Sequence, residues 1–483
     1  MSNFAPARGG ACYNSDNMDA PGTPKSEIVQ FWNLVKGLDW WAWNNWFYAW
    51  GFSRFLLHTI LFAGLLSILS LQIPNLFLFA SGWLVGTAPV WLPISLLIGF
   101  YQIWIWYARS NFIFHKKPVL MEMKMPREIT KSPRAMETAL TNLHVPQGIT
   151  TYYMRVMKGW TLPWYSLEIA SFGGEIHFYV WVWKDWQKIV EATIYANYPE
   201  IELHEVEDYA QKFVYNPETQ TCYGCGWRFE PYDPKKRYID AYVMKTYIDL
   251  ELDKDPKEEV KIDPLGTVLE VMGSMTKEQQ MWIQILITPE FKWGKLNPSE
   301  SDWSARVKNE VNKVRLLAAT FSEDTKLTDL QTRMARPRPT WVHEHQLETM
   351  QRNLGKHPFA VVSRGFYISP HKDFGLRFWD MRWIWRPFAN PQYMTQMRNR
   401  WFHTTMDYPW QDWRDIRWET ITRRFKDAYR RRSGFYSPWE FPANVMTSEL
   451  LATLYHPPSS SIKVPGLVRI ESKKSSPPPN LPQ

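Results

Sequence analysis

Four groups of side chains have types and spacings that could do chemistry. Cys222-x-x-Cys225 has the spacing of half a zinc site or of a redox dithiol. The only other cysteine is Cys12, and no spacing singles out His177 or His204 to complete a site, so a plain turn is the expected structure here. His343-Glu344-His345 sets its imidazoles at i and i+2, on different sides of a helix, and is expected to be exposed helix surface. Glu168 and Glu175 flank Gly173-Gly174 and are expected as solvated loop carboxylates rather than an acid–base pair. The fourth group is basic: Arg414, Arg417, Arg423, Arg424, Lys426, Arg430, Arg431 and Arg432, interleaved with Trp413, Trp418, Phe425 and Tyr429. Such a helix can meet the phosphates of nucleic acid or of anionic lipid while its aromatics pack or stack. A solvated face paired with Asp415, Glu419 and Asp427 is the third alternative.

Nucleotide chemistry has no signal. There is no Gly-x-x-x-x-Gly-Lys-Ser/Thr; Gly294-Lys295 and Gly355-Lys356 lack both the upstream glycine and the hydroxyl. Gly-x-Gly-x-x-Gly is missing too, and Gly224-x-Gly226 opens no helix. No cofactor, no metal and no catalytic activity is expected.

The elements that must position these groups follow from composition. The chain has 483 residues, 45% of them apolar and 22% charged, so it is neither disordered nor collagen-like. Three cysteines exclude a disulfide framework and suit a reducing compartment. A net charge of +8 is a mild basic excess. Mean hydropathy of −0.38 excludes a polytopic transporter. The 28 tryptophans are unusual for a purely soluble protein. Ten lie from Trp32 to Trp106 and eight from Trp379 to Trp439, which ties them to an apolar stretch and to the basic cluster.

That stretch, Phe55–Ala108, is 54 residues without Asp, Glu, Lys or Arg. One crossing takes about 20 apolar residues, so the length predicts a hairpin of two transmembrane helices. The spans are placed near Phe55–Leu71 and Trp91–Tyr107, with Pro74, Gly82, Gly86, Pro89 and Pro93 marking the connection. Lys25, Lys36 and Arg54 precede the pair and Arg109, Lys116, Lys117 and Lys124 follow it, which predicts a multi-pass protein of the cell membrane with both termini cytoplasmic. Residues 25–54 are expected as an interfacial helix, with Trp40, Trp41, Trp43, Trp46 and Trp50 in the headgroup layer; Trp104 and Trp106 form the matching belt. Residues 1–24 are expected to be disordered.

Beyond the hairpin an α+β pattern begins. Val119–Met125 reads as a strand, and Ser132-Pro133 caps a helix through His144. Trp164–Ser171 and Glu175–Val182 form a hairpin, Lys184–Tyr198 a helix and Ile201–Val206 a strand. Strand-helix-strand-strand-helix-strand is the ferredoxin-like motif, assigned to residues 118–215. A second α+β unit over 236–375 starts with a strand at Tyr238–Leu250, a helix from Asp263-Pro264 and a strand at Met281–Thr288. It continues with helices at Ser304–Arg315 and Val342–Leu354 and a strand at Phe359–Ser369. Residues 376–456 are expected to be helical, at Gln392–Arg400, Asp415–Arg432 and Thr447–Tyr455; 457–483 is a Pro/Ser-rich tail.

Several segments occur in the same order as in one known family. They are Met125-Pro-Arg-Glu with Ser132-Pro-Arg-Ala-Met-Glu, Leu167-Glu-Ile-Ala-Ser-Phe-Gly-Gly-Glu-Ile-His-Phe-Tyr and Val190-Glu-Ala-Thr-Ile-Tyr-Ala-Asn-Tyr-Pro. Trp282-Ile-Gln-Ile-Leu-Ile, Leu450-Leu-Ala-Thr-Leu-Tyr-His-Pro-Pro, Ile470-Glu-Ser-Lys-Lys and Pro479-Asn-Leu-Pro complete the set. Residues 120–483 resemble the membrane-proximal region of type IV secretion conjugative DNA-transfer proteins of ultra-small, genome-reduced bacteria. In that family a P-loop ATPase follows the region, near where this chain stops at Gln483. The resemblance implies a membrane-anchored, non-catalytic part of a DNA-transfer apparatus that docks a separately encoded ATPase. It supplies no catalytic residues. The alternative is a lipid-binding scaffold with no nucleic-acid role. Expected partners are the bilayer and that ATPase, with DNA and a second copy of the chain left open.

Overall fold

A computed structural model describes residues 60–65, 67–68, 76–127, 129, 131–145, 151–231, 240–254, 262–290, 292–293, 298–299, 302–319, 341–391, 395–400, 412, 415–436, 438–460 and 462–470. Trp40, Trp41, Trp43, Trp46 and Trp50 lie outside these residues, as do the interfacial helix, residues 1–24 and residues 471–483 of the Pro/Ser-rich tail. The rest of that tail is described apart from residue 461, and its Arg469–Ile470 pairs with Met125–Pro126. The chain divides into residues 1–79 and 80–483, and the second unit holds the whole α+β body.

Two helices lead into that body, α1 (Leu76–Gly86) and α2 (Ala88–His115). Next come β1 (Pro118–Pro126), α3 (Pro133–Leu143) and α4 (Tyr152–Val156), then the hairpin β2 (Tyr165–Phe172) and β3 (Glu175–Trp183). After it follow α5 (Lys184–Asn197), β4 (Glu202–Val206), α6 (Tyr209–Lys212) and β5 (Gln220–Pro231). The second half runs through α7 (Pro264–Gly273), β6 (Gln280–Pro289), a two-stranded ribbon β7 (Lys292–Trp293) and β8 (Pro298–Ser299), α8 (Asp302–Ala319) and α9 (Trp341–Leu354). It ends with β9 (Pro358–Pro370), α10 (Phe374–Trp383), β10 (Thr395–Arg400), α11 (Ile416–Arg430), β11 (Asn444–Thr447), α12 (Ser448–Leu454) and β12 (Arg469–Ile470).

Ten strands form one sheet, ordered β10-β5-β9-β6-β2-β3-β1-β12, with β4 also on β1 and β11 also on β9. Within the first half the antiparallel order is β4-β1-β3-β2. Within the second it is β10-β5-β9-β6, again antiparallel throughout. Both halves thus follow the same fourth-first-third-second order, and they meet edge to edge where β2 pairs β6. One register row crosses the whole sheet: His204, Glu122, Tyr179, Glu168, Gln284, Arg364, Gly226 and Arg400.

Side chains alternate between two buried faces, as period-two strands must. Leu167, Ile169, Phe178, Val180, Ile283, Ile285 and Tyr367 meet α3, α5, α7, α10 and α12 on one face. On the other, Trp164, Trp181, Trp282, Phe366, Phe425 and Tyr429 join under α11 and α6. Coverage on both sides explains why β6 and β9 read as near-continuous apolar runs.

The structure departs from the expected elements in four places. Tyr238–Leu250 is not a strand; its described residues form buried turns, and the first strand of the second half is β5. Cys222-x-x-Cys225 therefore lies inside a strand rather than in a turn. Gln392–Arg400 holds a strand, β10, not a helix: Thr395 and Met397 are buried and alternate with the half-buried Gln396 and Arg398. Finally, the hairpin of two spans is overturned. Among the described residues one helix, α2, is long and apolar enough to cross a membrane. Of the positions expected to break the chain, Gly82 and Gly86 sit in α1 and Pro89 and Pro93 in α2, while Pro74 lies outside the described residues. The Thr87 amide donates to the Trp83 carbonyl at 2.9 Å, and Trp91 donates to Thr87, so helical bonding runs through the expected connection. Pro89 falls in the first turn of α2, where a missing N–H costs nothing. With a second span goes the basis for placing both termini on the cytoplasmic side.

Candidate lipid-facing and basic surfaces

Helix α2 is apolar on all sides up to Tyr107, and none of its most apolar 18-residue window is buried. Val90, Ile98, Phe100 and Ile103 are more than half exposed. A helix hydrophobic all round is stable only inside a large core or in lipid, and among the described residues no core surrounds this one. Its 28 residues span about 42 Å, against a hydrocarbon thickness of about 30 Å. The excess lies at the C-terminal end, where the helix changes character.

There α2 roots in the body. Trp104 donates its indole N–H to the Val156 carbonyl at 3.0 Å, and the Tyr101 and Tyr152 hydroxyls are 3.0 Å apart. Ala108 is buried against Gly159, whose backbone takes φ +62°. Phe112 packs 6.2 Å from both Trp160 and Trp183. Lys116 pairs with Asp185 and lies over the Phe112 and Trp183 rings. Of the expected belt, Trp106 is exposed and Trp104 is tied to the body as well as to the helix surface.

The basic residues divide. Arg414 lies outside the described residues. On α11, Arg423, Arg424 and Arg430 are exposed, as is Arg431 just beyond, while Arg417 and Lys426 are half-buried. Arg423 reaches Glu419 at 3.3 Å, and Arg430 and Arg431 share Asp427 at 3.1 and 2.9 Å. Lys426 lies 5.3 Å over the Phe213 ring. Phe425 and Tyr429 are fully buried and cannot stack on bases. Exposed ion pairs of this kind hold weakly.

Arg432 is a different case. It is fully buried, at the left-handed position (φ +48°) of a Schellman motif in which Ser433 N–H donates to the Ala428 carbonyl and Arg432 N–H to Tyr429. Its guanidinium grips Glu168 bidentately at 3.0 and 3.1 Å and also reaches Asp208. It has no part in contacting lipid or nucleic acid. Glu168, expected in a solvated loop, is at the middle of the sheet. Ser166, Tyr209 and Gln284 donate to it at 2.6, 2.8 and 2.8 Å. Burial pushes its pKa up, but the Arg432 charge and these bonds outweigh that and hold it below the usual range. Arg364 joins through Gln284 at 2.6 Å and donates to the Ser433 and Ala428 carbonyls. Burial lowers its pKa to about 9, so it stays charged at neutral pH.

The other sequence candidates separate. Cys222 and Cys225 are three residues apart on a strand and point to opposite faces, one beside Trp282 and the other in the core with Tyr223. Burial pushes both thiols up, so neither is a ready thiolate. Gly224 between them is small for a reason: a Cβ there would sit 2.7 Å from the Phe425 ring. His343 and His345 lie on α9, with His345 3.9 Å from Glu348. Glu175 is exposed at the turn, remote in register from Glu168. Among the described residues no three potential ligands converge on a metal position. The cleft beside Arg364, lined by Gly226, Trp227, Ser363 and Phe441, has a volume of about 20 Å³, room for one water and no substrate.

Sequence reasoning missed the junction at Gly159 and the Glu168–Arg432 pair. The cluster Tyr152-Tyr153-Met154 with Met157 and Lys158 was a signal for the first; nothing local announces the second. No protein-family model matches the chain, and no curated protein matches it.

Proposed function

We propose that this chain is a membrane-attached, non-catalytic component of a type IV secretion-like DNA-transfer apparatus, holding a separate P-loop ATPase beside the bilayer. The observation that carries the reading is α2, an exposed apolar helix whose last turns are locked into an α+β body. The ordered family resemblance over residues 120–483 supplies the apparatus. We further infer that each half of the sheet is a ferredoxin-like unit, since strand-helix-strand-strand-helix-strand with order fourth-first-third-second is that motif. In the second half α8 and α9 stand between β6 and β9 where the first has a tight hairpin. Pull-down from detergent-solubilised membranes is expected to recover a P-loop ATPase; repeated recovery without one counts against the reading.

A lipid-binding scaffold without a DNA role is the second reading, favoured by the carboxylates that offset α11 and by the burial of its aromatics. Filter binding of duplex DNA over a salt series separates the two. If α11 meets DNA, the double variant Arg423→Glu with Arg424→Glu flattens the log–log salt slope by about 2. An unchanged slope assigns the cluster to lipid or solvent.

A further inference from the structure

Between α3 and β2 the chain forms the short helix α4. Helix α4 is one and a half turns long, capped by Thr151, whose hydroxyl accepts from the Met154 amide at 3.3 Å. It buries Val156 but leaves Tyr152 56%, Tyr153 59%, Met154 38% and Met157 51% exposed. Four large apolar side chains turned to solvent within six residues are costly in water. Residues 151–160 carry Arg155 and Lys158 and no acid. The segment is also fastened, through Tyr101, Trp104 and Ala108, to the part of α2 where the apolar run ends and Arg109 begins.

We propose that α4 and the turn after it, Tyr152–Lys158, form a foot that docks into the headgroup layer of an anionic bilayer, beside the point where α2 leaves the lipid. Tyrosine and methionine suit that layer: the rings and thioether enter the acyl boundary, the hydroxyls stay wet, and exposed Lys158 meets lipid phosphates. A foot fixed to α2 at Trp104 and Gly159 sets the depth of the helix and orients the body against the membrane. The inference rests on α2 lying in lipid, and it names a second lipid-binding element beyond that helix.

The test uses the full chain carrying Cys12→Ser, since Cys222 and Cys225 are buried. Nitroxides are placed in turn at Met157→Cys, at Ile98→Cys on α2 and at Lys188→Cys on exposed α5, in phosphatidylcholine vesicles with and without phosphatidylglycerol. Oxygen and a water-soluble nickel chelate compete for collisions with each label. The label at 157 is expected to fall between 98 and 188 in its oxygen preference, and to move toward 98 when phosphatidylglycerol is present. Lys158→Glu is expected to abolish that lipid-dependent move. A label at 157 as aqueous as the one at 188, with 98 in lipid, overturns the foot and leaves the anchor standing. If 98 is aqueous too, both fall.

Discussion

Arg432→Met destabilises the body by about 3–5 kcal/mol, the cost of stranding a buried charge without its partner. In the variant Glu168 keeps Ser166, Tyr209 and Gln284 as donors but loses its bidentate cation at the centre of the sheet. Asp208 loses its partner as well. Glu168→Gln costs less, because Arg432 retains Asp208 as counter-ion. The double variant Glu168→Met with Arg432→Met recovers part of the loss, since the stranded Glu168 charge is gone and only Asp208 lacks its cation. The urea midpoint of the detergent-solubilised chain measures all three. The pair also sets an acid limit. Glu168 titrates below its ordinary value in the fold, so its stabilisation is complete above the unfolded carboxylate pKa and is lost as pH falls through the folded one. Arg432→Met removes that acid dependence, and an unchanged acid-unfolding profile in the variant would sink the account.

The second large effect is at the root of α2. Gly159→Val detaches the helix from the body. A Cβ at 159 would lie 2.1 Å from the Ala108 carbonyl carbon and 2.2 Å from its oxygen, distances no real contact reaches. The φ of +62° adds a left-handed penalty of about 1–2 kcal/mol for a residue with a side chain. Both contacts are backbone, so no side-chain rotation relieves them. The Trp104–Val156 bond and the Phe112–Trp160 packing are lost together. Trypsin cleavage after Lys116, in the link between α2 and β1 where Pro118 protects the bond after Lys117, is expected to accelerate strongly, while the sheet itself stays folded. Gly99→Ala, with nothing within 4 Å, is the control and leaves cleavage unchanged. Equal cleavage in Gly159→Val and the parent chain would show that the junction does not hold α2.

What was legible depended on how far the decisive contact lay along the chain. Helix α3 was announced by Ser132-Pro133, β6 by the apolar run of Met281–Thr288, and the β2–β3 turn by Gly173-Gly174. Each is a local preference acting within about ten residues. Strand β5 was hidden because its glycines imitate a turn. Gly224 is small to clear Phe425, two hundred residues later, and Gly365 opposite is small to clear Met381 and Trp227. Strand β10 was hidden because one face is polar and its partner lies 170 residues earlier.

For the candidate sites the same division holds. The uncharged run from Ala88 to Ala108 gives an apolar helix, and none of the described residues encloses its most apolar window. Composition could not count the spans, since proline and glycine mark loops in water but are tolerated within helices once the neighbouring amides are paired. Likewise the sequence alone drew eight basic residues near one helix, by charge and spacing. Only the tertiary structure separated Arg432 from the rest, because its partner Glu168 is 264 residues away and a buried charge must find a counter-ion wherever the fold supplies one.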